Sequence, residues 1–485
     1  MNRIHTLQKA QKSSIDGNFQ EVETLLRSFL QSDPDNPEAL FLLGTAQSEL
    51  GKYKEAVNTL QKAASLKPGD GPLLNNLGNA YLALSINENA LESFDKAIAI
   101  NPNNDTYHAN KGVSLFKMHR YQEALDSFEI AITQNPEAID SHLKSAICLM
   151  RCGEFERSIN KLLQLNEHEP DNPEIYIQLI SCLLYMHATD DALKVIELGL
   201  QNTQKNNDAQ FSLLTSKTMV HWITGDIASA HEAMKSSREL TIPGHDTKDA
   251  RSIIAYNNYL GQLLQERTTH QHLYQHVADK PLFFIAESHC LTPSELPVII
   301  GENYHRILSS VIIGAKMYHL GQPEMNCYSR STEIIFNALP DNSMVVSGFG
   351  EIDCRFDEGI LKAHKNFGIR YTDSVPALVK RYQEKIISYS RPKNLQVLFY
   401  GVPTPSDEAL SKASEQDGTL LREIVRLVNE CLRRNCELMN LPFLDIYQMT
   451  VSSDLSGRSD FFLERHHIHP KHIPKLFESF LIFKK

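Results

Sequence analysis

A chain of 485 residues is longer than one ordinary domain, so two or more folded units are expected. Its 42% hydrophobic and 22% charged content is that of a soluble globular protein. A formal net charge of −11 without a long basic run argues against nucleic acid or anionic lipid as a main partner, and no apolar stretch approaches the roughly 18 residues needed to span a bilayer.

The opening segment, Met1 to Ser14, is polar and lacks the apolar core of a secretion signal. Eight cysteines are scattered between Cys148 and Cys436 with no Cys-x-x-Cys pair, so free thiols in a cytoplasmic protein are expected, with no zinc site.

Self-similarity organises the first half. Pro34, Pro68, Pro102, Pro136 and Pro170 fall 34 residues apart. Ala56, Ala90, Ala124, Ser158 and Ala192 keep the same step, as do Gly44, Gly78, Gly112 and Ala146. The physics of each row is that of paired helices. Small residues sit where two helices approach closely, and a proline after the second helix removes a donor and forces a turn. Asn75 to Tyr81 and Tyr121 to Phe128 carry apolar residues at helical spacing. Gly17-Asn18-Phe19 parallels Gly51-Lys52-Tyr53, making Met1–Asp33 a first, atypical repeat. A degenerate repeat surrounds Thr224-Gly225-Asp226, and Asp246 to Thr269 reads as one long capping helix.

The period and residue types resemble the tetratricopeptide repeat (TPR) over roughly the first 240 residues. That resemblance implies an all-α solenoid of about six to seven repeats whose concave groove takes a peptide or partner protein. A pure spacer role is the alternative. The expected domains are 1–240 (repeats), 241–279 (capping helix and linker) and 280–485.

After Lys280 the rows stop, and short apolar runs alternate with amphipathic stretches, the α/β pattern. Strands are expected at Leu282–Ile285, Met344–Ser347, Val397–Tyr400 and Pro442–Ile446, and helices at Pro297–Leu308, Ser374–Ser388 and Gly418–Met439. A doubly wound parallel sheet follows, with ligands expected at the carboxyl ends of its strands.

Four stretches there carry candidate chemistry. Ala286-Glu287-Ser288 follows the first strand, where a tight turn exposes a serine hydroxyl beside free amides; a helix N-cap serine is the plainer account. Gly314 lies in Ile313 to Leu320, and Gly350-Glu351-Ile352-Asp353 ends the third strand, where a structural Asp–Arg pair is the plainer account. Near the tail, Glu464 precedes His467 by three residues, with Ile468 and Pro470 beyond; that spacing lets a carboxylate hold one imidazole nitrogen while the other faces a serine. A frame with His469 as base puts His466 in the acid's place, which is chemically poor. The histidines His466, His467, His469 and His472 also suit a metal, but no carboxylate or cysteine stands at a motif spacing, so no metal and no cofactor are expected.

Taken in order, these stretches resemble the blocks of the SGNH (GDSL-like) hydrolases across nearly all of 280–485. The resemblance implies a three-layer α/β domain with a parallel sheet. It implies Ser288 as nucleophile, His467 as base and Glu464 as its orienting acid, with an oxyanion hole from the amides of Ser288 and Gly314 and a site loop of Glu287, Gly350 and Asp353. Asp353 shapes the loop rather than reacting. The sequence departs from the family at Ala286-Glu287 and at Ile352, which stands where an oxyanion-hole asparagine is found; Gly350 to Arg355 resembles the signature of one divergent subgroup. The implied substrate is a small acyl ester or an O-acetylated carbohydrate. Two alternatives stand beside it. One is a non-catalytic TPR adaptor with a degenerate hydrolase-like domain. The other, weaker, is a TPR-linked glycosyltransferase, for which the C-terminal part is short and lacks a sugar-nucleotide motif.

Overall fold

The computed structural model describes residues 3–240, 248–276, 278, 280–355, 358–411, 413–452, 457–463 and 466–479. Contacts divide the chain into two compact units, Met1–His168 and Glu169–Lys485.

The first unit is all helix, in successive pairs: α1 (Arg3–Ile15) with α2 (Phe19–Ser32), α3 (Pro37–Glu49) with α4 (Tyr53–Leu66), α5 (Gly71–Ala83) with α6 (Asn87–Ile100), α7 (Asp105–Lys117) with α8 (Tyr121–Gln134), and α9 (Ile139–Arg151) with α10 (Phe155–His168). Each pair closes on small residues. A Cβ added at Gly78 would lie 2.5 Å from Phe94 Cε1, and one at Gly112 2.7 Å from Phe128 Cε1, both inside any real contact distance. Ala56, Ala90, Ala124 and Ser158 are fully buried, and the Ser158 hydroxyl donates to the Ala146 carbonyl at 2.7 Å. A further row at the same step escaped the sequence reading. Asn36, Asp70 and Asn104 cap α3, α5 and α7, accepting the amides of Ala39, Leu73 and Tyr107. Each such cap satisfies an amide that the first helical turn leaves unpaired.

The second unit begins with more helices: α11 (Pro173–Tyr185), α12 (Thr189–Asn202), α13 (Asn207–Ile223), α14 (Ile227–Arg238) and α15 (Lys248–Thr269). Asn172 and Asn206 continue the capping row. The expected start of the capping helix, Asp246, lies outside the described residues. Then come β1 (Lys280–Ala286), β2 (Pro297–Ile300), β3 (Asn303–Val311), α16 (Met317–Leu320), α17 (Cys327–Ala338), β4 (Met344–Gly348), α18 (Gly359–Phe367), α19 (Tyr371–Ser390), β5 (Gln396–Tyr400), α20 (Asp407–Leu410), α21 (Glu415–Leu438), β6 (Phe443–Leu444), α22 (Ile446–Thr450) and α23 (Ile473–Ser479).

The sheet order is β2-β3-β1-β4-β5-β6. It is mixed rather than all parallel: β2 runs antiparallel to β3, and the other neighbours are parallel. The antiparallel edge corrects the expected helix at Pro297–Leu308, which is a hairpin. Its residues Val298, Ile299 and Ile300 are β-branched, Gly301 turns at a φ of +68°, and β3 then alternates exposed and buried positions. Period two wins over the helical reading.

Both faces of the sheet are covered, and the pleat divides the residues between them. Ile285, Val345, Val397 and Phe399 face α17, α19 and α21 through Phe336, Tyr382 and Val425. Leu282, Phe284, Val346, Leu398 and Tyr400 face α13, α14, α15 and α23 through Trp222, Met234, Leu263 and Phe477. Trp222 also donates its indole N–H to the Leu291 carbonyl at 2.8 Å, fully buried. Repetition and compaction therefore divide the chain at different places. The repeat rows run on past residue 168, while contacts group those later helices with the sheet.

Candidate active site

The site is built at the carboxyl ends of β1 and β4. The chain leaves β1 toward β3 on one side and returns to β4 on the other, the kind of switch point that opens a crevice between adjacent strands. Past Ala286 the backbone turns at Glu287 into a short 3₁₀ turn, Ser288–Cys290. Past Gly348, a second 3₁₀ turn, Ile352–Cys354, follows Glu351. The two loops are tied, since the Glu351 amide donates to Glu287 Oε1 at 3.3 Å.

A third segment comes from the tail. A bridge between Phe462 and Ile468, with the Leu463 amide on the His467 carbonyl at 2.8 Å, brackets His467. His467 Nε2 lies 2.8 Å from Ser288 Oγ. Ser288 is 4% exposed and His467 7%. Glu464 lies outside the described residues.

Behind this pair lies a buried charge network. Glu351 accepts from Arg355 at 2.7 Å and meets His466 Nδ1 at 2.9 Å. Burial opposes its ionisation, but Arg355 and His466 hold its carboxyl well below the usual range. The expected Asp353–Arg355 pair is thus a Glu351–Arg355 pair. His289 donates from Nε2 to the His466 carbonyl at 2.9 Å, which turns Nδ1 toward Glu287 at 3.5 Å. Burial works against charge on His289, yet the neighbouring carboxylates of Glu287 and Glu351 raise its pKa above the usual value. A proton on Nδ1 relieves an arrangement that would otherwise set a lone pair against a carboxylate.

Asp353 engages backbone amides instead. Its carboxylate accepts the amides of Met317 at 2.7 Å and Tyr318 at 3.3 Å, anchoring the start of α16. Burial raises its pKa to about 7 against the pull of those two amides. Gly350 adopts a φ of +132°, and a Cβ there would fall 2.3 Å from Met317 Cε, so only glycine fits. Gly314, at a φ of +76°, lies beyond the carboxyl end of β3. Ile352 is buried and offers no donor.

The tail histidines do not converge. His466 meets Glu351, His467 meets Ser288, His469 Nε2 meets Glu266 at 3.0 Å, and His472 donates to the Asp460 carbonyl at 2.8 Å. A different trio converges: Glu287, His289 and Glu351 each offer a ligand atom, all within 4.8 Å of one another and buried. Arg355 and His466 also engage Glu351.

One site residue escaped sequence reasoning altogether, Tyr259 on α15. The Tyr259 ring stacks on His467, and its hydroxyl lies 2.7 Å from Thr292 Oγ1. Tyr256, one turn earlier on α15, is partly buried against the same core. Their spacing of three places both on one helix face. In sequence that face is indistinguishable from an ordinary core-facing stripe, and the helix lies outside the segment that carries the motifs.

Three family models described as tetratricopeptide repeat match residues 15–81, 72–104 and 110–170. No curated protein matches the chain. Among solved structures, a tetratricopeptide repeat protein from Parabacteroides merdae is 18% identical, covering 53% of this chain and 98% of its own, with a TM-score of 0.42. MamA from Desulfovibrio magneticus is 19% identical over 35% of this chain and 97% of its own, with a TM-score of 0.34. YrrB, titled a TPR protein with an unusual peptide-binding site, is 15% identical over 37% of this chain and 93% of its own, with a TM-score of 0.34. The N-terminal part of the chain, within residues 15–170, carries tetratricopeptide repeats.

Proposed function

We propose that residues 280–485 form a three-layer domain of SGNH type acting as a serine esterase, carried on TPR helices whose groove takes a peptide or protein partner. The parallel strands in the order β3-β1-β4-β5-β6 support the fold reading, since they follow the flavodoxin-like 2-1-3-4-5 pattern. One observation carries the enzymatic reading: the 2.8 Å approach of His467 Nε2 to Ser288 Oγ, between residues 179 apart in sequence.

In this reading Ser288 Oγ bonds to the carbonyl carbon of an ester as its proton passes to His467 Nε2. The carbonyl π pair becomes an oxyanion, held by the amides of Ser288 and Gly314. His467 returns the proton to the leaving alcohol. Water then releases the acid by the same route. Glu464, three residues before the base, is the acid assigned to orient it. The substrate class is an acyl ester, with O-acetylated carbohydrate first by resemblance. Eight cysteines without a disulfide suit a reducing compartment, and we place the protein in the cytoplasm.

The test is covalent labelling of the full chain with a fluorophosphonate. Wild type is expected to label at Ser288, Ser288→Ala to lose the label, and His467→Asn to lower ester turnover by roughly 10⁴–10⁶-fold. A wild type that never labels, or a Ser288→Ala chain that labels equally, sinks the proposal. One observation favours a second reading, a non-catalytic adaptor: Ser288 is 4% exposed, so a substrate has little access to it.

A further inference from the structure

A histidine base works through a lone pair in the plane of its ring, so its aim depends on how that plane is held. The torsion that turns an imidazole is broad rather than confined to sharp wells, and something outside the side chain must fix it. At His467 a flat support is present: the Tyr259 ring lies 3.8 Å away, centroid to centroid, and 15° from parallel. His289 approaches the same imidazole at 4.7 Å but is tilted by 35°, a looser contact. The Tyr259 hydroxyl reaches the serine turn, bonding to Thr292 Oγ1 at 2.7 Å and lying 3.5 Å from the Ser288 carbonyl. One side chain of α15 thus touches the imidazole with its face and the nucleophile's turn with its tip. Trp222 on α13 holds the same turn through the Leu291 carbonyl at 2.8 Å.

We infer that Tyr259 is a positioning residue for the esterase reaction, its ring face holding His467 and supporting the charge the imidazole takes up. This rests on the esterase reading above and deepens it. With its plane held, Nε2 stays aimed along the 2.8 Å path to Ser288 Oγ. When Ser288 attacks, its proton passes to Nε2 and His467 becomes a cation against the negative face of an aromatic ring. Tyr259 is 5% exposed and His467 7%, and such a contact gains strength where water is excluded. The charge exists only once the proton has moved, so the support grows toward the transition state and acts on kcat.

The experiment measures p-nitrophenyl acetate turnover by full-length wild type, Tyr259→Phe and Tyr259→Leu. Each kcat is expressed per Ser288 labelled to completion by a fluorophosphonate. Tyr259→Leu is expected to lower kcat about 3–30-fold with KM within about twofold, the size of a desolvated cation–π contact. Tyr259→Phe keeps the face and is expected to recover most of that loss. A purely structural role would lower the labelled fraction and leave turnover per labelled serine at the wild-type value, which overturns the assignment. A raised KM with unchanged kcat overturns it too, as does a Tyr259→Phe chain as slow as Tyr259→Leu. Should Tyr259→Leu fail to fold, pentafluorophenylalanine at position 259 decides, since it keeps the ring's shape and reverses the charge of its face. Turnover equal to that of Tyr259→Phe then overturns the assignment, and a lower kcat supports it. In each of these outcomes the esterase reading stands; if wild type neither labels nor hydrolyses, both fall together.

Discussion

The ring of Tyr259 lies against the ring of His467, centroids 3.8 Å apart and planes 15° from parallel. Tyr259 is 5% exposed, so its ring is also part of the core beneath α15. Tyr259→Ala is expected to lose about 3–5 kcal/mol of stability, the range for deleting a buried aromatic ring. Tyr259→Phe keeps the ring and gives up the bond to Thr292, with an expected loss of about 1–3 kcal/mol. Urea unfolding of the two variants checks this ordering; equal losses would show that the ring contributes nothing beyond its hydroxyl.

Glu351 is the hub of the buried charges. Glu351→Gln leaves Arg355 without its countercharge, and breaking one partner of a buried pair typically costs about 3–5 kcal/mol. Adding Arg355→Met to that variant should destabilise by less than the two single losses combined, because the orphaned charge is then gone. Strict additivity in a double-mutant cycle would mean the two side chains do not stabilise each other.

Asp353 predicts a pH dependence of the opposite sign to an ordinary paired carboxylate. Its folded pKa, raised by burial to about 7, exceeds the unfolded value near 3.8, so between those values the folded state binds the extra proton. Its contribution is present below about pH 4, fades as pH rises and is gone above about pH 7. The steepest fall this allows is about 1.4 kcal/mol for each step of one in pH. Asp353→Asn, which keeps an acceptor for the Met317 amide, should flatten this part of the curve. A chemical-denaturation series across pH 4–8 that superimposes for both proteins would rule it out.

The helix pairs make a simpler prediction. Gly78→Val drives a branched side chain into Phe94, where even a Cβ falls 2.5 Å from the ring. Overpacking of this kind costs about 1–3 kcal/mol, to which the β-branch adds little. A thermal melt within one degree of wild type would show that the two helices part more easily than this spacing implies.

The helical half was legible because one 34-residue period writes each close contact several times over, as at Gly44, Gly78 and Gly112. The capping row at Asn36, Asp70 and Asn104 was equally present but interrupted by Ala138, and it went unread. In the α/β half the central strands announced themselves as short apolar runs. The edge hairpin at Pro297–Leu308 did not, because a run this short fits either period until its partner strand is known. What no local pattern carries is convergence. Glu351 reaches His466 and Tyr259 reaches His467 only through the tertiary fold.

Two consecutive residues on one segment, Ser288 and His289, are met by His467 and His466 on another, 179 and 177 positions downstream. At about 5–20 residues added per second during synthesis, the serine loop waits roughly 10–35 s for those imidazoles to exist. A nascent chain, or one cut short before residue 467, therefore holds the Ser288 hydroxyl without its imidazole partner. The Ser288–His467 contact is in this sense a certificate that translation has passed residue 467: no shorter polypeptide can close the clasp.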